Sequence, residues 1–126
     1  MFYKAKVEAA ELGRKGEDLV AEYLRQKGYI VVKRNYKDRF GEIDIIAENK
    51  EEIVFVEVKT RREGALVSGL QAVDIKKAER IRKTALLFLN RLKISLKPRF
   101  DVAEVTAFIR DDGSVGYKLN YIKSAF

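Results

Sequence analysis

Three residues in this chain could do chemistry together: Asp44, Glu57 and Lys59. Each sits in a short stretch that is otherwise apolar and β-branched, "EIDIIA" around Asp44 and "IVFVEVKT" around Glu57 and Lys59. Stretches of that kind form strands buried on both faces, and such strands seldom carry charge. Residues two apart in a strand share a face, so Glu57 and Lys59 stand side by side. The polar run "ENKEE" between the two strands is a five-residue loop and predicts an antiparallel hairpin. Pairing in a suitable register would bring Asp44 within reach of Glu57, since opposed positions in a ladder lie about 5 Å apart. Two carboxylates that close raise each other's pKa unless a cation lies between them. A divalent metal resolves that conflict, and a neighbouring lysine can orient or deprotonate an attacking water. The alternative for any one of the three is an ordinary strand-end salt bridge; it is their combination that favours a site.

Composition narrows the chemistry. The 126 residues include no Cys and no His. Disulfides, zinc centres of the usual kind, Ser–His–Asp triads and Cys–His nucleophiles are therefore excluded. What remains is carboxylate, lysine and hydroxyl chemistry, with a hard oxygen-bound ion such as Mg²⁺. The chain carries 26 Lys plus Arg against 19 Asp plus Glu, a net charge of +7. That balance points to a polyanionic partner, nucleic acid ahead of an anionic membrane surface. No apolar run has the length of a transmembrane helix, the N-terminal stretch lacks a signal-peptide core, and no amphipathic anchor presents itself. The expectation is a cytoplasmic protein with no membrane role.

The elements that must position the three residues follow from periodicity. An apolar stripe from about Val7 to Lys27, closed by Gly28, predicts a first helix. Strands are expected at Tyr29–Asn35, Glu42–Ala47 and Ile53–Thr60. A small-residue loop at Glu63–Gly69 leads to a second helix at about Ala72–Leu92. Ala78, Ile81, Ala85, Leu86, Phe88, Leu89 and Leu92 make its apolar face, and Lys76, Lys77, Arg80, Lys83 and Arg91 its basic one. Pro98 falls in a connection, and strands at Phe100–Ile109 and Val115–Tyr121 complete the chain. The order α-β-β-β-α-β-β predicts a single α/β domain over residues 1–126, a mixed sheet flanked by helices.

The spacing D-(x)₁₂-E-x-K from Asp44 to Lys59 is the pattern of the PD-(D/E)xK nuclease superfamily, which has the restriction-endonuclease-like fold. Alone it is short and degenerate. The flanking "GRKGEDLVAEYLRQKGYIVVKRNY", "GEIDIIA", "VFVEVKTRR" and "RFDVAEV" make it specific, and together they closely resemble the YraN family, related to archaeal Holliday-junction resolvases. The resemblance spans Gly13 to about Phe108. It implies Asp44 and Glu57 as ligands of Mg²⁺ or Mn²⁺, Lys59 as the catalytic lysine, and Glu17 as a further catalytic acid from the first helix. Without it, Glu17 reads as an ordinary flank residue. Ile43 stands where the superfamily has proline, and the loop after "KTRR" is shorter and less proline-rich than the family pattern. Gln71 is a candidate support for the metal. Asp101 and Glu104 interrupt an apolar strand as structural or edge residues.

Arg14 and Lys15 precede Glu17, and Arg61 and Arg62 follow Lys59, so these four cations are the candidate phosphate clamps. The basic face of the second helix is another candidate surface. The resemblance implies a metal-dependent endonuclease acting on DNA, including branched DNA, with a homodimer by analogy. The alternative is a nucleic-acid-binding module that keeps the fold and does not cleave.

Overall fold

The computed structural model describes the backbone of residues 2–64 and 74–126 and the side chains of residues 10–64 and 74–126. Its elements follow the expected order: α1 (Phe2–Gln26), β1 (Ile30–Lys37), β2 (Glu42–Glu48), β3 (Glu52–Arg62), α2 (Ile75–Leu92), β4 (Lys97–Ile109) and β5 (Val115–Ile122). α1 begins five residues earlier than its apolar stripe suggests, because no Gly or Pro interrupts the chain before Gly13. β4 begins at Lys97, so Pro98 lies inside a strand rather than in a connection. Near a strand's first residue a missing N–H is tolerated, which the expectation overlooked.

The five strands form one sheet in the order β1-β2-β3-β4-β5. β1–β2, β2–β3 and β4–β5 are antiparallel, while β3 and β4 run parallel. A parallel pair needs a crossover, and α2 supplies it. The two sheet faces carry separate cores. On one, Val20, Ala21 and Leu24 of α1 pack on Ile45, Ala47, Val54, Val56, Ala103 and Val105. On the other, Ile81, Ala85 and Phe88 of α2 pack on Ile46, Ile53 and Phe55, with Ile43. Each large side chain buried this way stabilises the fold by about 1.5–3 kcal/mol. The apolar face expected for α2 is partly corrected: Leu86 and Leu92 are exposed, and Thr84 is buried in their stead. The Thr84 hydroxyl donates to Asp38 Oδ1 at 3.0 Å, which satisfies it inside the core.

Two departures from regularity prepare the site. The β2–β3 ladder runs from Glu48/Ile53 only to Ile45/Val56, whereas β3 stays paired with β4 as far as Arg62/Ala107. Moreover Ile43 and Ile45, two apart in one strand, enter opposite cores. Strict alternation would put them on one face, so the period breaks at Asp44. β2 and β3 therefore diverge at Asp44 and Glu57.

At the other end of the central strands lies a closed polar network. Asp101 is fully buried. It accepts from Arg99 Nε at 2.9 Å, from the Tyr121 hydroxyl at 2.6 Å and from the Ser124 N–H at 2.9 Å. Arg99 also bridges Glu52 at 2.6 Å, and the Tyr29 hydroxyl donates to the same carboxylate. Asp101 is thus structural, as its place in an apolar strand suggests.

Candidate active site

Where β2 leaves β3, the Asp44 side chain takes over the role of the missing main chain. Its Oδ2 accepts the Val58 N–H at 2.7 Å, so the carboxylate is pinned to β3 one residue beyond Glu57. Ile53, Phe55, Glu57 and Lys59 then occupy alternate positions of β3, so Glu57 and Lys59 prolong the face that α2 covers. Glu57 is only 6% exposed. Lys59 Nζ lies 3.1 Å from Glu57 Oε1, and Glu104 stands beside Lys59 in the parallel register.

A residue not expected in the site completes it. Lys77 Nζ, from the first turn of α2, lies 2.5 Å from the same Glu57 Oε1. Asp74 caps this helix, its Oδ1 accepting the Lys77 N–H at 2.8 Å, and the cap fixes where Lys77 leaves the backbone. In the sequence Lys77 is one of several lysines on a basic helix face. A usable signal was nonetheless present: the first turn holds two lysines and no acid, the reverse of what the helix dipole favours.

Glu17 approaches from α1, on the opposite face. Gly16 makes this possible, since a Cβ there would lie 2.0 Å from Thr60 Oγ1. With no side chain at Gly16, α1 seats directly on β3 and carries Glu17 to the sheet. Arg34 of β1 lies 3.7 Å from Glu17 Oε1 and 2.9 Å from Asp18 Oδ1. Asp18 is mostly exposed and shares this arginine with Glu17. Arg34 carries no local signal in the sequence, because its role depends on how β1 lies against α1.

The electrostatics bear the mark of crowded acids. Burial, followed by the negative charge of Glu57, pushes the Asp44 carboxyl up to about 7. Glu17 adds to the rise, while the Val58 hydrogen bond and Lys77 oppose it. Burial works against the Lys77 ammonium, but its hydrogen bond to Glu57 and the charges of Glu57 and Asp44 more than compensate and raise its pKa.

Asp44 and Glu57 offer the hard oxygen donors that a divalent cation needs. Among the described residues no three acidic side chains gather closely enough to cage an ion alone. The donor set fits an Mg²⁺-like ion, which typically takes one or two carboxylates and keeps its remaining positions for water and phosphate oxygen. Gln71 lies outside the described residues.

The four candidate phosphate clamps are not gathered into one patch. Arg61 falls on the Glu57–Lys59 face by alternation, and its Nε is buried without a hydrogen-bond partner among the described residues. Arg62 falls on the α1 face, where it and Lys15 line a cavity of about 800 Å³ with Leu12, Phe108, Val115 and Tyr117. Lys15 Nζ lies 6.0 Å from the centre of the Tyr117 ring. Arg14 is exposed on α1. Among the described residues no helix is long and apolar enough to cross a membrane.

Comparison with known proteins places this arrangement in a family. Residues 16–105 match the model described as "Uncharacterised protein family UPF0102", a span that takes in Glu17, Asp44, Glu57, Lys59 and Lys77. A UPF0102 protein of Syntrophomonas wolfei is 41% identical over 119 residues, covering 92% of this chain and 97% of the relative. One from Dictyoglomus turgidum is 42% identical over 96 residues, 75% of this chain and 81% of its own. A third, from Caldanaerobacter subterraneus, is 38% identical over 122 residues, 96% and 98% of the two chains. By these matches the chain belongs to the UPF0102 family, also called YraN.

Proposed function

We propose that this protein is a metal-dependent endonuclease that hydrolyses phosphodiester bonds in DNA, branched DNA included. One observation carries the reading: two acids, the buried Glu57 and the half-buried Asp44, stand at the divergence of two strands with Lys59 beside Glu57, and desolvation, followed by the negative charge of Glu57, lifts the Asp44 carboxyl to about 7. Structural carboxylates are normally paired until such strain is gone, so an acid left this way in a fold is a candidate for cation binding. The net charge of +7 supports a polyanionic substrate.

Asp44 and Glu57 would hold the cation, Mg²⁺ or Mn²⁺, which supplies Lewis-acid stabilisation of the phosphate charge and a more acidic water. Val58 N–H keeps Asp44 oriented. Lys59, with a side chain about a quarter exposed, has the reach and the donors to orient an attacking water and to steady negative charge on phosphate. Glu17, held by Arg34, adds negative potential on the α1 side. Arg61 is the cation best placed for the backbone of the same substrate, since it shares the face of Glu57 and Lys59. Among the described residues no base-reading element is recognisable, which favours recognition of backbone and shape.

The second reading is a non-cleaving nucleic-acid-binding module. It is favoured by the same carboxylate's partners, because Glu57 is neutralised by two lysines without any metal. Cleavage assays on linear, flapped and four-way DNA with Mg²⁺, Mn²⁺ or chelator separate the two. Wild type is expected to cut only with metal. Glu57→Gln and Lys59→Ala should each reduce cutting by about 10²-fold or more, with circular dichroism and most DNA affinity retained. Equal cutting by both variants would remove the site from the mechanism. Tight binding with no cutting in either metal would favour the module.

A further inference from the structure

Glu57 Oε1 has two ammonium partners, and they are not equivalent. Lys59 is its neighbour on the same face of the same strand, so proximity alone puts the two together. Lys77 comes from another element and is the closer of the two, at 2.5 Å against 3.1 Å. Its place in the first turn of α2 is unfavourable for a cation, because that end of the helix dipole is positive and, beyond the capping Asp74, the first turn holds no acid. The side chain is also partly desolvated, which further disfavours its charge. A lysine held against both effects is held by its partner. Asp44 benefits as well, since Lys77 lowers a pKa that burial and Glu57 have raised.

We infer that Lys77 is the resident counter-ion of the acidic site and competes with a divalent cation for Glu57. The inference rests on the metal-site reading above. In the metal-free protein Lys77 neutralises the carboxylate and keeps it buried without loss of the fold. A divalent cation must displace that ammonium, so cation binding by the free protein is weak. The displaced lysine sits on a flexible four-carbon stem beside the cation, where the non-bridging oxygens of a phosphodiester offer it a new partner. Metal and phosphate therefore bind with positive coupling: each makes the site better for the other. The site loads its cation in the presence of substrate rather than before it.

The test is Mn²⁺ binding by calorimetry at pH 8 to wild type, Lys77→Met and Lys77→Arg, with no DNA present. Lys77→Met should bind Mn²⁺ about fivefold tighter or more, and Lys77→Arg, which keeps the cation, should stay near wild type. A merely structural lysine would not produce a gain in affinity on removal. If Lys77→Met is too unstable to titrate, the wild type answers by NMR. The Lys77 Nζ resonance should shift towards that of free lysine on addition of Mg²⁺, and an unmoved resonance at saturating Mg²⁺ would overturn the inference. Equal or weaker Mn²⁺ binding by a folded Lys77→Met would overturn it while leaving the metal site standing. No uptake of Mn²⁺ by any of the three would overturn both.

Discussion

The two ends of β3 hold two acid clusters of opposite character. At the amino-terminal end, Glu52, Arg99, Asp101, Tyr29 and Tyr121 form a network in which every charge has a partner. The hydrogen bond from Tyr29, with the Arg99 charge, holds Glu52 below its usual range, and hydrogen bonds to Asp101 drive Arg99 up. Burial and the bond to Asp101 likewise raise Tyr121. At the carboxyl-terminal end, Asp44 has a single hydrogen bond among the described residues and a carboxyl lifted to about 7. Both clusters interrupt apolar strands, and Asp101 is the more deeply buried. Burial of an acid therefore does not identify a site. What separates them is satisfaction: the closed network spends its charges on one another, and the open one leaves a demand for positive charge.

Removing Asp101 should break the comparison most severely. Asp101→Ala strands the Arg99 guanidinium, the Tyr121 hydroxyl and the Ser124 N–H in the interior, and should cost about 3–5 kcal/mol of stability in urea unfolding. Metal affinity of whatever folded protein remains should be unchanged. A loss of less than about 1 kcal/mol would mean that the network is not the structural one.

Asp44→Asn should act in the opposite direction and only at high pH. The native carboxyl titrates near 7 against an ordinary 3.8, so between those values the folded protein holds more protons than the unfolded chain. Wild-type stability contributed by this group falls as pH rises through that window, and the cost is complete above pH 7. Asparagine carries no such cost and can still accept the Val58 N–H. At pH 8 without metal, Asp44→Asn should be more stable than wild type by about 1–3 kcal/mol, with water and Lys77 screening the full effect. At pH 4 the two should coincide. Mg²⁺ should raise the wild-type melting temperature at pH 8 and leave that of Asp44→Asn unmoved. A variant less stable than wild type at pH 8 would show that Asp44 belongs with the satisfied acids.

The smallest effects concern the cations around the open cluster. Arg61 and Arg62 point to opposite faces of β3, so their neutralisation should not be equivalent. Arg61→Gln should lower the slope of log DNA affinity against log salt by about one unit. Arg62→Gln, on the cavity side with Lys15, should lower it less. Equal slopes, or a larger effect at Arg62, would move the nucleic-acid path to the α1 face and its cavity.

The sequence by itself determined the element order and the three residues that define the open cluster. Those properties are local: β-branched runs make strands, an apolar stripe makes a helix, and Asp44, Glu57 and Lys59 stand out because charge is rare in such runs. It also determined that zinc and histidine chemistry are excluded, since those residues are missing. The family motifs added Glu17, which periodicity alone would have left as a flank residue. Tertiary structure decided the rest. That Lys77 reaches Glu57 across the α2 crossover and that Arg34 spans Glu17 and Asp18 depends on how α2 and α1 seat on the sheet. The same holds for the kink at Asp44, which appears only when Ile43 and Ile45 are seen in different cores. A charged side chain's meaning lies in its partners. Those partners come from elements far apart in the chain, brought together by the burial of apolar faces that carry no record of which charges they will align.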